Sequence, residues 1–293
     1  MQHPLPCPPF VDVEGVVNIR SVGRYTTTAG RAVKPNIIYR SGDVSSITER
    51  GRKQFSELGV HIVFDFRADA EIKDFDSSTP PIEGVKMIRT PAGIQRAFDP
   101  VSVAMRLKHW EENELEAFLS LYEEILETGK DAFKTVFLHL RDHPEEPCLV
   151  HCTAGKDRTG IFTTLLLLIL GVEDRHIVDE YALTTIGLEP ALPMLTRKME
   201  KVAVYRENWK GMQNMGSSKP ETMTAVLQLI QTKYDGAEGY FKTHLNLNGE
   251  DIAKIRKNFL VNGKSRLDFR LSPIFFTSIL SIAVYLGFKY SRP

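Results

Sequence analysis

The 293-residue chain has little cysteine, with three residues at positions 7, 148 and 152. That set is too sparse, and odd in number, for a secreted disulfide scaffold, and it points to a reducing compartment. Net charge is also missing. The 37 basic and 37 acidic side chains cancel, which leaves no long-range field to draw nucleic acid, so any anion must be held locally. No internal repeat is visible. The eight histidines are scattered, with no pair read at i, i+4 on a firm helix, and neither metal nor cofactor is expected. The opening MQHPLPCPPF carries four prolines and neither the charged nor the apolar region of a signal peptide. Residues 1–15 are expected to form a proline-rich, extended and mobile lead.

One long stretch lacks charge altogether. LSPIFFTSILSIAVYLGF, residues 271–288, has no charged residue in 18 positions. As a helix at ~1.5 Å per residue it would extend about 27 Å, close to a hydrocarbon core of roughly 30 Å. Residues 266–293 are therefore expected to form an apolar C-terminal helix outside the main domain, anchoring the chain to a membrane. Ser272, Thr277, Ser278 and Ser281 argue instead for a last core helix. Basic residues flank both ends, which leaves orientation open.

The rest of the chain alternates. NIIYR (36–40) suits a strand, and the following segment pairs Ser46 with Glu49 as a capping box and ends at Gly59, predicting a helix between them. VHIVFDFR (60–67) and VKMIRT (85–90) read as further strands. Strand, helix, strand implies a right-handed parallel unit. Residues 98–142 favour helix; in ENELEAFLSLYEEIL the stripe Leu115, Phe118, Leu119, Tyr122, Ile125 and Leu126 reads as packing. PCLVHC resumes a strand, and GIFTTLLLLILG is apolar on every side, so its helix should be wrapped by protein. Helices are expected near 173–185, 221–233 and 250–260, the second opened by a Ser218/Glu221 capping box with Pro220 in its first turn. The sum is an α/β domain over 16–265, a small, mainly parallel sheet with helices on both faces.

Between the PCLVHC strand and the apolar helix lies HCTAGKDRTG, residues 151–160. A strand that turns tightly into a helix aims several backbone N–H groups at one point, and the helix N-terminus adds positive potential. Gly155 and Gly160 permit close approach of backbone, and Arg158 offers a planar fork that matches two phosphate oxygens. The same field favours the thiolate of Cys152, whose free counterpart titrates near ~8.5. The stretch reads as an anion cradle with a nucleophile at its floor. A nucleotide-binding loop is excluded, because no glycine precedes Gly155 and Lys156 at the required spacing.

Cys152, five residues, Arg158, Thr159 and Gly160, led by His151, resemble the signature loop of the cysteine-dependent phosphatases of the protein-tyrosine and dual-specificity kind. The string is most similar to the microbial and fungal tyrosine-phosphatase group whose loops read Gly-Lys-Asp-Arg. Segments 17–42, 59–71, 181–185 and 222–245 share the likeness, which covers roughly 16–262. The resemblance implies the cysteine-phosphatase fold and a phosphomonoester hydrolase with a phosphoprotein or a phosphoinositide as substrate; with the few cysteines and the apolar tail, an intracellular protein is expected, attached to a membrane with its catalytic domain in the cytoplasm. It implies that Cys152 attacks phosphorus to form a phosphocysteine, that Arg158 holds the equatorial oxygens and that Thr159 stabilises the departing thiolate. Thr153, Ala154, Gly155 and Lys156 complete the phosphate-binding set, and His151 braces the cysteine or fills the core.

For the proton donor the group suggests Asp157. Asp65 in FDFR is a second candidate or a brace for the loop, with Arg67 as its partner; Asp99, by analogy with a mobile-loop acid, is a third. Lys156 also resembles the lysine in the loops of phosphoinositide 3-phosphatases, which suits a highly charged head group. Two positions depart from the group's usual NFRDLGG: Ser21 stands for an acidic residue and Arg24 for a glycine, so a substrate contact from that segment is not assigned. Cys148 is expected to be plainly buried, a disulfide with Cys152 being the alternative. A phosphate-gripping module without turnover, and a sulfurtransferase or arsenate reductase, are the rival readings.

Overall fold

The computed structural model describes residues 5, 7–74, 76–93 and 99–262. Its strands are β1 (Arg20–Ser21), β2 (Arg31–Val33), β3 (Ile38–Ser41), β4 (Ile62–Asp65), β5 (Lys86–Arg89), β6 (Cys148–His151) and β7 (Leu260–Asn262). The first half of the helices comprises α1 (Glu49–Glu57), α2 (Asp69–Asp74), α3 (Pro100–Glu112), α4 (Glu114–Thr128), α5 (Lys130–Asp142) and α6 (Arg158–Ile169). There follow α7 (Asp174–Leu188), α8 (Leu192–Glu200), α9 (Ala203–Glu207), α10 (Trp209–Met215), α11 (Pro220–Tyr234), α12 (Gly236–Thr243) and α13 (Gly249–Phe259).

The main sheet runs β1-β3-β6-β4-β5, and β2 pairs with β7 in a separate ribbon. β3, β6, β4 and β5 are parallel, while β1 joins the edge antiparallel. Side chains alternate between the two faces as the strand period requires. Ile38, Phe64, Cys148 and Val150 enter the larger core with α4, α5, α6, α7, α11 and α13. Tyr39, Val63 and Leu149 enter a smaller one closed by Phe55 of α1 and by Val13, Val16 and Ile19. Register places Ser41, His151, Asp65 and Arg89 side by side at the carboxyl ends of the parallel strands. In open sheets of this kind the loops leaving those ends build the site.

Three details differ from the sequence expectations. The cap of α1 is Thr48, whose hydroxyl accepts from the Gly51 amide, and not Ser46. At α11 Pro220 does occupy the first turn, but the cap is Lys219 with no side-chain bond, because the Ser218 hydroxyl pairs with that of Thr185 at 2.7 Å. His139 and His143 are an i, i+4 pair at the end of α5, their rings stacked 5.1 Å apart; even so, among the described residues no cluster of three His, Cys, Asp or Glu side chains could hold a metal.

The membrane expectation is corrected. Among the described residues no helix is long and apolar enough to cross a membrane. The most apolar helix, α6, has 12 residues, about 18 Å at ~1.5 Å each, and it fills the protein core instead of facing lipid. Residues 266–293, on which the tail helix was expected, lie outside the described residues. Membrane association through 271–288, and membrane-attached localisation, are therefore not carried further.

Candidate active site

β6, the central strand, ends at His151 with Cys152 next in the chain, and α6 begins at Arg158, so the loop between them spans the gap from strand end to helix start. Its carbonyls are taken by the scaffold. Asp43 N donates to Thr153 O at 2.9 Å, Asn18 Nδ2 donates to Ala154 O at 3.0 Å and Gly155 O at 3.3 Å, and an Arg40 Nη2 hydrogen reaches Gly155 O. With the carbonyls so held, among the described residues no carbonyl accepts from the amides of 153–157. Consecutive amides without an internal acceptor are what an anion-binding nest offers. Gly155 is required here: its φ is +65°, and an added Cβ would stand 2.2 Å from Ser41 O. Gly160 is less critical, since a Cβ there would meet the Tyr181 ring at an ordinary 3.6 Å.

Cys152 sits at the floor with 2% exposure. Above it the Arg158 guanidinium is gripped bidentately by Glu71 of α2, Nη1 to Oε2 at 2.7 Å and Nη2 to Oε1 at 2.8 Å, while Nη1 also donates to Phe66 O at 3.2 Å. Burial works against its charge, but Glu71 and the Cys152 sulfur outweigh that and raise its pKa. Glu71 also accepts from the Thr153 hydroxyl and the Ala68 amide. Burial opposes ionisation of this carboxyl as well, and Arg158 more than compensates, lowering its pKa. Thr159 stands inside the first turn of α6, not at its cap, which is Asp157. Its hydroxyl is buried and has no hydrogen-bond partner among the described residues.

His151 is fully buried. Since a carbonyl can only accept, its Nδ1 carries the proton that is donated to Cys152 O at 3.2 Å, and burial lowers its pKa. Asp65 lies beyond it, 3.7 Å from Nε2. This carboxylate is held by Arg67 at 2.9 Å and Arg89 at 2.6 Å. Although burial alone would raise it, His151 and Arg67 bring its pKa down to about 2. A carboxyl so engaged is a poor proton donor, and its place in the fold is that of a brace. Arg67 extends the brace to Asp43 at 2.7 Å, next to the loop.

Asp99 is exposed and caps α3 through Val101 N and Ser102 N, so nothing directs it to the cradle. Asp157 is different: its Oδ1 accepts from the Tyr122 hydroxyl at 2.9 Å and meets Lys156 Nζ at 3.0 Å, and its side chain is 28% exposed. Lys156 itself is buried, its ammonium donating to Met215 O at 2.8 Å and Ser217 O at 2.9 Å and lying over the Phe118 ring. It is committed to the protein, contrary to the expectation of a free cation for a second phosphate. Cys148 is buried and unpaired, as is Cys152; burial pushes its thiol up to about 12. Ser21 accepts from Asn36 N, while Arg24 is exposed with φ +68°.

The residues that sequence reasoning missed lie behind the loop. Glu180 of α7 bridges Arg20, 2.7 Å away, and Arg40, 2.5 Å away, and all three are buried. Arg20 also anchors Asn18, so this triad positions both donors to the loop carbonyls. Asn18, Arg20, Arg40 and Glu71 fall within the stretches that carried the resemblance, which was the available signal. Tyr122 had none.

A model of the family described as "Tyrosine phosphatase family" matches residues 11–261. A tyrosine-protein phosphatase of Nostoc commune is 26% identical over 85% of this chain and 84% of its own length. A Cupriavidus necator protein assigned to the same class is 29% identical over 84% of this chain and 86% of its own. The triple specificity protein phosphatase PtpB of Mycobacterium tuberculosis is 24% identical over 58% of this chain and 67% of its own. With the match running through the sheet, the loop and the helices that enclose them, the chain belongs to the tyrosine phosphatase family.

Proposed function

We propose that this chain is a cysteine-dependent phosphomonoester hydrolase whose first substrate class is aryl phosphate, as in phosphotyrosine. The observation that carries the reading is the meeting of Cys152, loop amides with no internal acceptor and the Arg158 guanidinium, which feels the charge of Cys152, at the carboxyl ends of the parallel strands. The Cys152 thiolate attacks phosphorus and the bond from phosphorus to the leaving oxygen breaks. Asp157 gives its proton to that oxygen. A water, giving a proton back to Asp157, then attacks the phosphocysteine, phosphate leaves, and the thiolate is restored with the Thr159 hydroxyl as donor to it. Charge on the phosphoryl oxygens is met by donors already in place, which is where such catalysis gains most.

The highly charged head group is a weaker second substrate, because the Lys156 ammonium that favoured it is held by Met215 O and Ser217 O. The test is turnover of nitrophenyl phosphate. Cys152→Ser should lower kcat by at least about 10³-fold while the protein still binds vanadate or phosphate. A folded wild-type protein that binds phosphate but never releases product would leave only a phosphate-gripping module.

A further inference from the structure

The apolar stripe of α4 holds one phenol, Tyr122, and it is wholly buried. Its hydroxyl is 2.9 Å from Asp157 Oδ1 and 2.6 Å from the hydroxyl of Tyr181 on α7. Each phenol has one proton to give. Asp157 Oδ1 accepts the Tyr122 proton, so Tyr181 must donate to Tyr122, and the three groups form a chain directed at the carboxyl. Burial, followed by the charge of Asp157, pushes both phenols far above the usual tyrosine range. They remain donors throughout the working range of pH and do not themselves ionise.

The rings are fixed as well as the hydroxyls: Tyr122 packs against Phe118 at 5.5 Å and meets Tyr181 edge-on at 85°. Lys156 approaches the same oxygen, Oδ1, from its buried seat. With both donors on Oδ1, the proton to be delivered resides on Oδ2. Asp157 is the most exposed member of the group, and both of its donors are on Oδ1, which leaves Oδ2 as the oxygen to turn toward a leaving group. One residue before Tyr181, Glu180 holds Arg40, which holds Gly155 O. The Glu-Tyr pair of α7 thus sets the cradle through one side chain and the acid through the next.

We propose that Tyr122, backed by Tyr181, is a positioning residue that turns Asp157 Oδ2 toward the leaving oxygen. This rests on the phosphomonoesterase reading above. In the step that expels the leaving group a misdirected proton matters only when the leaving oxygen needs one, so the cost in kcat/KM of losing the phenol depends on the leaving group. That dependence separates positioning of an acid from a merely structural role.

The experiment compares wild type, Tyr122→Phe, Tyr181→Phe, Asp157→Asn and Tyr122→Phe/Asp157→Asn on nitrophenyl phosphate, a good leaving group, and phenyl phosphate, a poor one. Tyr122→Phe should lower kcat/KM, which reports the step that expels the leaving group, about 10-fold on phenyl phosphate and less than about 2-fold on nitrophenyl phosphate, a fraction of what a general acid supplies. Tyr181→Phe should act in the same direction and less. In the Asp157→Asn background the Tyr122 change should add nothing. An equal loss on both substrates, or a Tyr122 effect that persists without the carboxyl, overturns the proposal. If Tyr122→Phe fails to fold, Tyr181→Phe alone and combined with Asp157→Asn carries the same comparison. Absence of Cys152-dependent turnover in the wild type sinks both this proposal and the reading beneath it, whereas turnover with a flat leaving-group profile sinks this proposal alone.

Discussion

Two carboxylates meet arginine at this loop, one from behind and one from the front. Behind it, Glu180 lies between Arg20 and Arg40 with 3% of its side chain exposed and 0% of theirs. In front, Glu71 and Arg158 are 20% and 19% exposed. The chemistry is the same and the solvent is not. A sealed triad cannot exchange partners, because each charge would be left alone in a medium that does not solvate it. A pair at the mouth can share its cation with an incoming anion: Glu71 takes Nη1 and Nη2 of Arg158 from a position that solvent still reaches. Burial thus separates scaffold from working part.

The largest effect should follow from breaking the sealed side. Glu180→Ala leaves two buried guanidinia with no counter-charge, and removal of one member of such a set costs about 3–5 kcal/mol. Urea unfolding of the variant should show a loss of that order. A loss under about 1 kcal/mol, the range of exposed pairs, would mean that water reaches Arg20 and Arg40 and that the contrast with Glu71 is false.

Asp65 falls between the two cases and is tested by acid. Its folded pKa is about 2 against an ordinary 3.8, so the group is depressed and its stabilisation is complete above pH ~4. As pH falls from there through about 2 the folded state must take up the proton, and on the order of 2 kcal/mol disappears. Melting temperature measured across that window should drop in the wild type and more gently in Asp65→Asn. Parallel slopes for the two proteins would remove Asp65 from the brace.

On the open side, Glu71→Gln should change stability by no more than about 1 kcal/mol and yet lower kcat/KM about 10-fold, since a neutral amide no longer fixes the Arg158 fork by two charge-assisted bonds. Unfolding and nitrophenyl phosphate turnover on the same preparation give both numbers. A stability loss without a rate loss would place Glu71 with the scaffold.

These contrasts also explain what could be read in advance. HCTAGKDRTG was legible because nucleophile, fork and helix start are contiguous, so strand and helix patterns on either side were enough to give it a geometry. Parallel strands, the wrapped α6 helix and the glycine stop at Gly59 were legible for the same local reason. Glu71, Arg40 and Glu180 reach the loop only through the fold, and a charged residue in a strand or helix pattern carries no mark of its partner. Tyr122 was hidden by its own helix: at i, i+4 from Phe118 it counts as one more apolar residue. Ser218 misled in the opposite sense, since a capping pattern cannot show that Thr185 will take the hydroxyl. Loop-local chemistry is written along the chain, while its supports are written across it.

Lys156 gives the smallest expected effect and the sharpest use of the comparison, because sequence placed it on the open side and structure places it on the sealed one. Its ammonium has two carbonyl acceptors at 2.8 and 2.9 Å, the Asp157 carboxylate at 3.0 Å and the Phe118 ring 4.5 Å below. To reach a second phosphate it would have to leave all four, and an ammonium that stays where it is acts alike on every substrate whose leaving group leans equally on Asp157. Lys156→Met removes the charge and keeps an unbranched chain. The ratio of kcat/KM for a short-chain phosphoinositide to that for a simple alkyl monophosphate, an equally poor leaving group, cancels any change in the folded fraction or in Asp157, since both rates are measured on one protein. That ratio should move by less than about twofold, which is under ~0.5 kcal/mol. A selective loss on the phosphoinositide would show that the lysine swings out to the substrate, and it would return the highly charged head group to first place.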